Sequence, residues 1–210
     1  LDQQHPSIRQ ALRRGVDLSE ATIGTSAMSC AISEQRPVRV FGPEHFFSAN
    51  RQFHCAAAPI VDPRGGLVGT VDITRGSSDA DLGALSLVTR CAQAIEHELF
   101  RRIPARAIFT LSWQPNSTDP SSNMSIAFGD DAEVLATNDA TRRFLGLDAR
   151  CAGLFFEDIF AGRFGQTLSL LKSARQATPI QLRSGIQMFA SLWPQDSHRS
   201  PGSTAARPGV

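Results

Sequence analysis

The chain has 210 residues, of which 41% are hydrophobic and 20% are charged; this composition is that of an ordinary globular protein with room for two small domains. Its 21 Lys and Arg nearly balance its 20 Asp and Glu, which argues against a basic surface that neutralises a nucleic-acid backbone. No apolar run approaches the roughly 20 residues of a membrane span, and the 4 cysteines form no C-x-x-C pair, so we expect a cytoplasmic protein with reduced thiols and no membrane partner.

The first part of the chain predicts a mixed α+β domain. Apolar residues at helical spacing indicate a short helix from Pro6 to Arg14, and a run of small residues indicates a second helix over Ile23–Ile32. Either Thr25 or Ser26 is a suitable N-cap for that second helix. The segment Arg36–Phe41 alternates polar and apolar side chains, which is typical of a strand.

A hairpin is the clearest local signal in the sequence. The strand-like segments Phe53–Val61 and Leu67–Thr74 are joined by Asp62–Gly66, which carries proline and glycine where a tight turn needs them. Apolar residues at helical spacing then predict one long amphipathic helix over Leu85–Arg102, closed by Pro104. The first domain is therefore expected to be an antiparallel sheet with flanking helices.

Composition divides the chain into four segments. We expect a first domain over residues 1–104, a linker over 105–122, a second α/β domain over 123–194 and a flexible tail over 195–210. The linker assignment rests on the stretch from Gln114 to Asn123, which is rich in Pro, Ser and Asn.

The second domain shows strands at both of its ends. Met124–Phe128 and Val134–Thr137 indicate two strands, after which Asn138 is placed to cap a helix. Near the end of the domain, Ile180–Arg183 is expected to pair with Met188–Trp193. Two short helices are predicted between these strand pairs, over Leu154–Phe160 and Leu168–Ala174. Two strands, short helices and a hairpin form a PAS-like order.

Aromatic and small side chains around the first strands predict an apolar ligand pocket, closed by the loop from Gly42 to Asn50. Plain packing of the domain core explains the same residues almost equally well. Polar side chains beside the pocket would orient a small ligand, although Asp72 fits a solvated or turn-bonding carboxylate too. The predicted ligand-binding residues are Phe41, Glu44, His45, Phe47, Arg51, Phe53, Cys55, Ala57, Thr70 and Asp72.

One group of residues suggests reactive chemistry. His54 and Cys55 are adjacent, and His45 and Cys30 lie near them in sequence. Because a reactive thiol needs an electropositive and partly exposed environment, we favour an inert, buried cysteine over a redox thiol or a metal site. The sequence also lacks a phosphate loop and the common hydrolase and dinucleotide-binding motifs. We therefore expect no catalytic residues, no metal and no cofactor in this chain.

An apolar stripe follows the predicted long helix at alternating three- and four-residue steps. Two interpretations fit the stripe: the helix packs on its own sheet, or it forms the seam of a homodimer. Fewer than three heptads is short for a coiled coil. The predicted seam residues are Leu85, Val88, Ala92, Ile95 and Leu99.

The order of several short motifs resembles the GAF region of acetoin-catabolism regulators of the AcoR type, which are sigma-54-dependent transcriptional activators. The resemblance covers about the first hundred residues. Ser26 stands where that family usually has asparagine, and Leu18 stands where tryptophan is common. The motifs are Ile23–Ala27, Arg36–Val38, Gly42–Phe46, Cys55–Ile60, Asp62–Gly65, Leu67–Ile73 and Ile95–Phe100.

The resemblance implies a signal-sensing region. The second half is similar to the PAS-like segment of the same regulators in Ala136–Thr141 and Leu145–Leu147. An acetoin-like metabolite would bind the GAF pocket, and the strands that normally open a GAF domain are expected ahead of Leu1. Contacts with ATP, Mg, sigma-54 RNA polymerase and DNA would belong to an AAA+ ATPase and a DNA-binding domain outside this chain. A GAF-scaffold thiol sensor or reductase using Cys55, and a ligand-free dimerisation module, are the alternatives.

Overall fold

Two antiparallel sheets form the framework of the computed structural model, which describes residues 13–76, 83–115, 124–147, 151 and 153–193. The first sheet has three strands in chain order. The second has five strands, in the order β6 (Val134–Thr137), β5 (Met124–Phe128), β4 (Ala107–Ser112), β8 (Gln187–Leu192) and β7 (Thr178–Gln181). Helices flank both sheets, so the mixed α+β class predicted from the sequence is confirmed. Within the described ranges, no helix is long and apolar enough to cross a membrane.

The first sheet is covered by helices on both faces. Two helices, α1 (Glu20–Ile23) and α2 (Ala27–Glu34), precede strands β1 (Val38–Phe41), β2 (Phe53–Val61) and β3 (Leu67–Gly76). Alternation along β2 turns one set of side chains toward α2 and the other set toward the long helix that follows the sheet. Short 3₁₀ helices over Gly42–Glu44 and Ser48–Gln52 connect β1 to β2.

The start of α2 is fixed by a capping box. The Ser26 hydroxyl accepts a hydrogen bond from the Ser29 backbone N–H at 3.2 Å. The Ser26 N–H in turn donates to the Ser29 hydroxyl at 3.1 Å, so two amides without helical partners are satisfied together. Of the two predicted N-caps, the structure therefore selects Ser26 over Thr25.

The predicted hairpin is confirmed, and the side chain of Asp62 organises its turn. Asp62 Oδ1 accepts hydrogen bonds from the N–H groups of Arg64 and Gly66, at 2.9 and 2.7 Å. Gly65 has a φ of 85°, a conformation that favours glycine. The register shifts between Ile60 and Val61, where the β2–β3 ladder is irregular.

The long helix α3 (Ala84–Arg101) contributes to two cores. Near its N-terminal end, Val88 and Ala92 pack against Ala56 and Ala58 of the first sheet. At its C-terminal end, Phe100 packs into a separate cluster that includes residues of the second sheet. One rigid element therefore spans both regions of the molecule.

The burial of α3 corrects the predicted dimer seam. Val88 and Ala92 are 0% and 3% exposed because they pack on the helix's own sheet. A side chain already buried there is not available to a second copy of the chain, so the seam prediction is wrong for these two residues. Leu85 and Leu99 are half-buried, and only Ile95 of the predicted set is exposed, to 41%.

The second sheet corrects the predicted linker. Strand β4 (Ala107–Ser112) lies in the middle of this sheet and pairs with both β5 (Met124–Phe128) and β8 (Gln187–Leu192). The side chains of β4 alternate between buried and half-buried, which is the pattern of a strand with one face on the core. Residues 105–122 are therefore not a linker throughout. The remaining elements are β6 (Val134–Thr137), α4 (Asp139–Leu145), α5 (Phe156–Ile159), α6 (Phe164–Ser173) and β7 (Thr178–Gln181).

Both ends of α4 follow the sequence prediction. The Asn138 side chain accepts a hydrogen bond from the Thr141 N–H at 3.0 Å and so caps the helix. Gly146 ends the helix in the left-handed conformation, with a φ of 62°. The predicted Pro6–Arg14 helix up to residue 12, the linker stretch 116–123 and the tail 195–210 lie outside the described residues.

Candidate functional site

A small cavity lies in the first region, where the start of α2 and the 3₁₀ helix Ser48–Gln52 approach one face of β2 and β3. Its volume is about 70 Å³. Because a cavity needs roughly 10–15 Å³ to hold one water, this cavity has room for only a small molecule. The lining residues are Leu18, Ile23, Ser26, Ala27, Met28, His45, Asn50, Phe53, Cys55, Asp72 and Thr74.

The register of β2 and β3 determines which sheet residues line the cavity. Cys55 on β2 stands opposite Thr74 on β3, and Ala57 stands opposite Asp72. Residues two apart on a strand share a face, so Cys55, Thr74 and Asp72 all lie on the side of the sheet that faces α2. This arrangement puts a thiol, a hydroxyl and a carboxylate beside the apolar side chains of the helices.

The three polar side chains form a directed hydrogen-bond chain. The Thr74 hydroxyl donates to Asp72 Oδ2 at 2.7 Å, and Cys55 Sγ lies 3.4 Å from Thr74 Oγ1. A hydroxyl has only one proton, which Thr74 gives to Asp72. The Cys55 thiol is therefore the donor to Thr74 Oγ1.

Burial changes the acidity of both ends of this chain. Desolvation raises the pKa of Asp72 above its ordinary value, while the hydrogen bond from Thr74 and the nearby charge of His45 oppose the increase. Desolvation also raises the pKa of the Cys55 thiol to about 11. At neutral pH only about one such thiol in ten thousand is ionised, and the thiolate is the reactive form.

The loop between β1 and β2 supplies two more polar groups. His45 is 3% exposed, and its Nδ1 donates to the Gly42 carbonyl oxygen at 3.2 Å. Asn50 Nδ2 donates to the Ile23 carbonyl oxygen at 3.2 Å and so ties this loop to α1. Each side chain is held in place by a backbone carbonyl, which orients it before any ligand binds.

A close backbone approach accompanies this contact between the loop and α1. Gly24 has a φ of 68°, and a Cβ at this position would lie 2.8 Å from the Cβ of Phe46. Real Cβ atoms do not approach so closely, and side chains rarely adopt this φ. Glycine is therefore required for the chain to turn from α1 toward α2 at the edge of the cavity.

The structure brings together four of the ten predicted ligand-binding residues, namely His45, Phe53, Cys55 and Asp72. Phe41 is not among them, because register pairs it with His54 on the opposite face of the sheet, where the two rings lie 5.1 Å apart. Glu44 is exposed, and its carboxylate accepts a hydrogen bond from the Phe41 N–H at 2.7 Å, so it caps its own turn instead.

The other four predicted residues lie near the cavity but do not line it. Phe47 and Arg51 are exposed on the loop. Ala57 is covered by the core residues of α2, and Thr70 lies further along β3, opposite Pro59. Strand alternation identified the correct face of the sheet but not how far along the strands the cavity extends.

Sequence reasoning missed seven lining residues. Thr74 could have been found, because it shares a strand face with Asp72. The others come from the segment before α1, from α1, from α2 and its N-cap, and from the 3₁₀ helix, and no local spacing reveals how these parts fold over the sheet. Ser26 and Leu18, the two positions that depart from the family pattern, both line the cavity. The missed residues are Leu18, Ile23, Ser26, Ala27, Met28, Asn50 and Thr74.

A second cavity of about 110 Å³ lies where the first sheet meets the second. Glu96 of α3 accepts a hydrogen bond from the Val61 N–H at 2.8 Å, and burial raises the pKa of this carboxyl. The Thr137 N–H donates to the Pro63 carbonyl oxygen at 3.3 Å. The rings of His97 and Trp193 lie 4.4 Å apart. The hairpin turn and α3 thus contact the second sheet directly.

Metal binding has no structural basis in the part of the chain that the structure describes. Within those residues, no group of three or more His, Cys, Asp or Glu side chains is arranged to hold a metal ion. His45, Cys55 and Asp72 line one cavity, but hydrogen bonds within the protein already use His45 Nδ1, the Cys55 thiol and one Asp72 oxygen.

Comparison with known proteins defines the class of the first region. Residues 2–99 match the family model described as the GAF domain. This part of the chain is therefore a GAF domain, as its sequence motifs predicted.

The relatives define the type of GAF domain. The chain is 35% identical over 85 residues to the acetoin dehydrogenase operon transcriptional activator AcoR of Bacillus subtilis, covering 40% of this chain and 14% of that protein. It is 26% identical over 193 residues to the acetoin catabolism regulatory protein of Cupriavidus necator, covering 86% of this chain and 29% of that protein. The first region is thus similar in sequence to the GAF regions of AcoR-type regulators.

Two further similarities complete the comparison. A 47.3 kDa protein of Rhodococcus erythropolis is 40% identical over 86 residues, which cover 40% of this chain and 20% of that protein. The chain therefore spans less than a third of the length of each of these three relatives. The Escherichia coli DhaR(N)–DhaL complex contains a chain with a TM-score of 0.43 and 17% identity, covering 91% of this chain and 74% of that one. We draw no functional conclusion from so distant a likeness.

Proposed function

We propose that this chain is the signal-sensing region of a bacterial sigma-54-dependent transcriptional activator. A small neutral metabolite of the acetoin class binds in the GAF cavity, and its binding controls an AAA+ ATPase and a DNA-binding domain of the longer protein. The role is regulatory rather than catalytic, and the protein works in the cytoplasm. The observation that carries the proposal is the small, partly open cavity of about 70 Å³ in a GAF domain whose sequence is similar to that of AcoR-type regulators.

The composition of the cavity supports a small organic ligand. Apolar side chains from both helices and from Phe53 supply most of its walls, and a few polar groups converge on one side. This is the usual construction of a small-molecule site, in which apolar area supplies affinity and polar groups fix orientation. Acetoin is a small molecule with few polar groups, which is the kind of ligand that a small cavity with these walls takes.

Helix α3 offers a route by which binding affects the rest of the molecule. Its N-terminal half packs on the sheet that holds the cavity, and Phe100 near its end packs with Ala127 and Ala136 of the second sheet. A ligand changes the balance between two arrangements only if it binds one of them more tightly. We propose that the two arrangements differ in how α3 packs between the two sheets.

The remaining assignments belong to the same proposal. The second sheet is a PAS-like domain, supported by its order of two strands, short helices and a returning hairpin. The protein acts as a homodimer. The exposed side of α3, where Leu87 and Ile95 are 48% and 41% exposed, supports an interface on that face rather than on the buried stripe.

A thiol sensor at Cys55 is the second candidate, but its environment disfavours it. The thiol is half-buried, donates to Thr74 and has a pKa raised to about 11. Labelling of the native protein with a thiol reagent tests this candidate. We expect Cys55 to react much more slowly in the native protein than after unfolding in denaturant.

Thermal unfolding in the presence of candidate ligands tests the proposed function. Acetoin, butanediol, glycerol, short ketones and aldehydes, alcohols, cyclic nucleotides and peroxide are compared. We expect a saturable increase in the melting midpoint with small hydroxylated or carbonyl compounds, because a ligand that binds only the folded state stabilises it. A cooperatively melting protein that responds to none of these compounds would contradict the proposal.

Variants that fill the cavity provide the matched control. Ala27→Leu and Met28→Trp add apolar volume to lining residues, so we expect both proteins to fold and to lose the ligand-dependent shift. Ala94→Leu adds the same side chain as Ala27→Leu at an exposed position of α3 and should keep the full shift. A ligand response that survives both filling variants would place the binding site elsewhere.

A further inference from the structure

The side chains that line the GAF cavity have fewer free hydrogen-bond donors than free acceptors, and this difference favours one kind of ligand. The hydroxyl proton of Thr74 goes to Asp72, and the Cys55 thiol proton goes to Thr74. The Ser26 hydroxyl donates to Ser29 Oγ at 3.1 Å. The protons of these three side chains are therefore already used within the protein, and none is left for a ligand.

Asn50 and His45 add little donor capacity. One of the two amide protons of Asn50 Nδ2 is engaged by the Ile23 carbonyl oxygen. His45 Nδ1 must carry the proton that it shares with Gly42, because a carbonyl oxygen only accepts. Apart from the second ring nitrogen of His45, the side chains of the cavity thus retain a single strong donor, the second amide proton of Asn50.

Acceptors, in contrast, remain available. Thr74 occupies Asp72 Oδ2, and no described residue donates to Asp72 Oδ1. The Asn50 amide oxygen likewise receives no hydrogen bond from a described residue. Asp72 and Asn50 together offer a ligand two acceptors and one donor, so it forms the most hydrogen bonds if it brings hydroxyl protons.

Charge adds a second criterion. Asp72 is the one carboxylate among the lining residues, and no arginine or lysine lines the cavity. An anionic ligand would be placed next to this carboxylate in a desolvated space, where like charges repel strongly and the lost hydration is not replaced. Small carboxylic acids of the same size as acetoin are therefore disfavoured.

We propose that Asp72 makes the GAF cavity selective for neutral ligands rich in hydroxyl groups, with vicinal diols preferred over hydroxyketones, hydroxyketones over diketones, and carboxylates excluded. This inference rests on the proposed function, since it assigns the ligand class of the same cavity. Asp72 acts as the specificity-determining residue, because its free oxygen is the charged acceptor. A hydrogen bond to a charged acceptor contributes more than one to a neutral group.

Isothermal titration at pH 8 compares four probes of one carbon skeleton: 2,3-butanediol, acetoin, diacetyl and 3-amino-2-butanol, with lactate as the anion. Diacetyl should bind about tenfold more weakly than 2,3-butanediol, since it cannot make the charge-assisted hydrogen bond to Asp72 Oδ1, and acetoin, which keeps one hydroxyl, should lie between them. Lactate should not bind measurably. The amine tests the competing view that the carboxylate holds a small cation.

Asp72→Asn distinguishes selectivity from a structural role. The variant keeps the shape of the side chain but replaces a charged acceptor by an amide that also donates. We expect diol binding to fall about tenfold and diacetyl binding to improve, so that the order of the ligands inverts. Asp131→Asn, at an exposed turn position of the second sheet, makes the same chemical change and should leave the order unaltered.

The outcomes separate this inference from the proposed function. If no probe binds the unmodified chain, the proposed function fails. If the probes bind but diacetyl equals or exceeds the diol, or the amine binds most tightly, the function stands and the selectivity proposal is overturned. An Asp72→Asn variant that weakens all probes equally, without changing their order, also overturns it, because loss of folding or of cavity shape would have that effect.

Discussion

Strand β2 of the first sheet carries three consecutive alanines, whereas β4 and β5 of the second sheet carry the buried aromatic residues Phe109 and Phe128. Around Ala57 the core consists of other small residues and half-buried side chains, and a cavity lies beside it. The second core is filled by five packed rings, those of Phe109, Phe128, Phe156, Phe160 and Phe164.

This difference separates the roles that the two regions can take. Protein interiors are normally packed at the density of organic crystals, so a cavity beside a core of small side chains is an exception that leaves space for a ligand. Rings in the second core contact one another at centroid distances of 4.7 to 6.4 Å, so the space among these five side chains is filled. The small-residue core of the GAF region thus leaves room beside it for a small ligand, whereas the aromatic core of the second region is filled by its own side chains.

The largest effect is expected from Phe128→Ala in the second core. Phe128 is fully buried and contacts several other rings of the cluster. Removing it should lower the free energy of unfolding by about 3–5 kcal/mol, because lost burial and an unfilled cavity both contribute. Chemical denaturation measures this change. Phe155→Ala, at a position 44% exposed, should cost far less, and equal costs for the two variants would mean that the ring cluster is not the core.

In the first core, adding side-chain volume should be more harmful than removing it. Ala57 is fully buried between β2 and α2, so Ala57→Leu must push the two elements apart. We expect a loss of about 1–3 kcal/mol in unfolding free energy, the usual cost of overpacking. The exposed Ala94→Leu variant is the control. A stable Ala57→Leu protein would show that the cavity beside this core relaxes easily, and it would weaken the account of a preformed site.

The two helix caps offer a matched comparison of smaller size. Ser26 caps α2 at the cavity, and Asn138 caps α4 where the second sheet meets the hairpin. Each alanine variant should lose about 1 kcal/mol of unfolding free energy, because helix amides lose their acceptor. Only Ser26→Ala should also change ligand affinity in titration. If Asn138→Ala has the larger effect on affinity, the second region takes a more direct part in binding than we propose.

The smallest effect concerns the pH dependence of stability. Burial raises the pKa of Asp72 in the folded protein above its ordinary value. The folded state therefore binds more protons than the unfolded state between the two pKa values, so this residue makes stability fall as pH rises through that window. Asp72→Asn removes the contribution. The melting midpoint of the variant relative to the unmodified chain should increase from pH 4 to pH 7, and a constant difference would contradict the assigned cause.

The sequence predicted most elements that have a local chemical signal. The hairpin turn at Asp62–Gly66, the cap at Asn138 and the glycine end at Gly146 all depend on neighbouring residues, and all are confirmed. Strand β4 was missed although its side chains alternate, because Pro104 and the Pro- and Ser-rich stretch after it suggested a linker. Its central place becomes visible only from its pairing with β8, which lies far away in sequence.

Only the part of the candidate site that the sheet contributes could be predicted from the sequence. Cys55 and Asp72 were both predicted to line the pocket, but the sequence could not show that β1 turns Phe41 to the other face of the sheet. The helical wall, including Ser26 and Met28, depends on how α2 folds over the sheet. The same limit applies to α3, where the spacing of Val88 and Ala92 fitted both a dimer seam and the sheet packing that is observed.

Amide hydrogen exchange with and without saturating acetoin or 2,3-butanediol tests most directly whether the GAF region is the sensor. Opening of local structure controls this exchange, so a bound ligand slows it in the elements that line the site. We predict slower exchange in β2, in β3 and in the 3₁₀ helix Ser48–Gln52, with no change in the core strands β4 and β5. Slower exchange confined to the second sheet would contradict the account and place the ligand there.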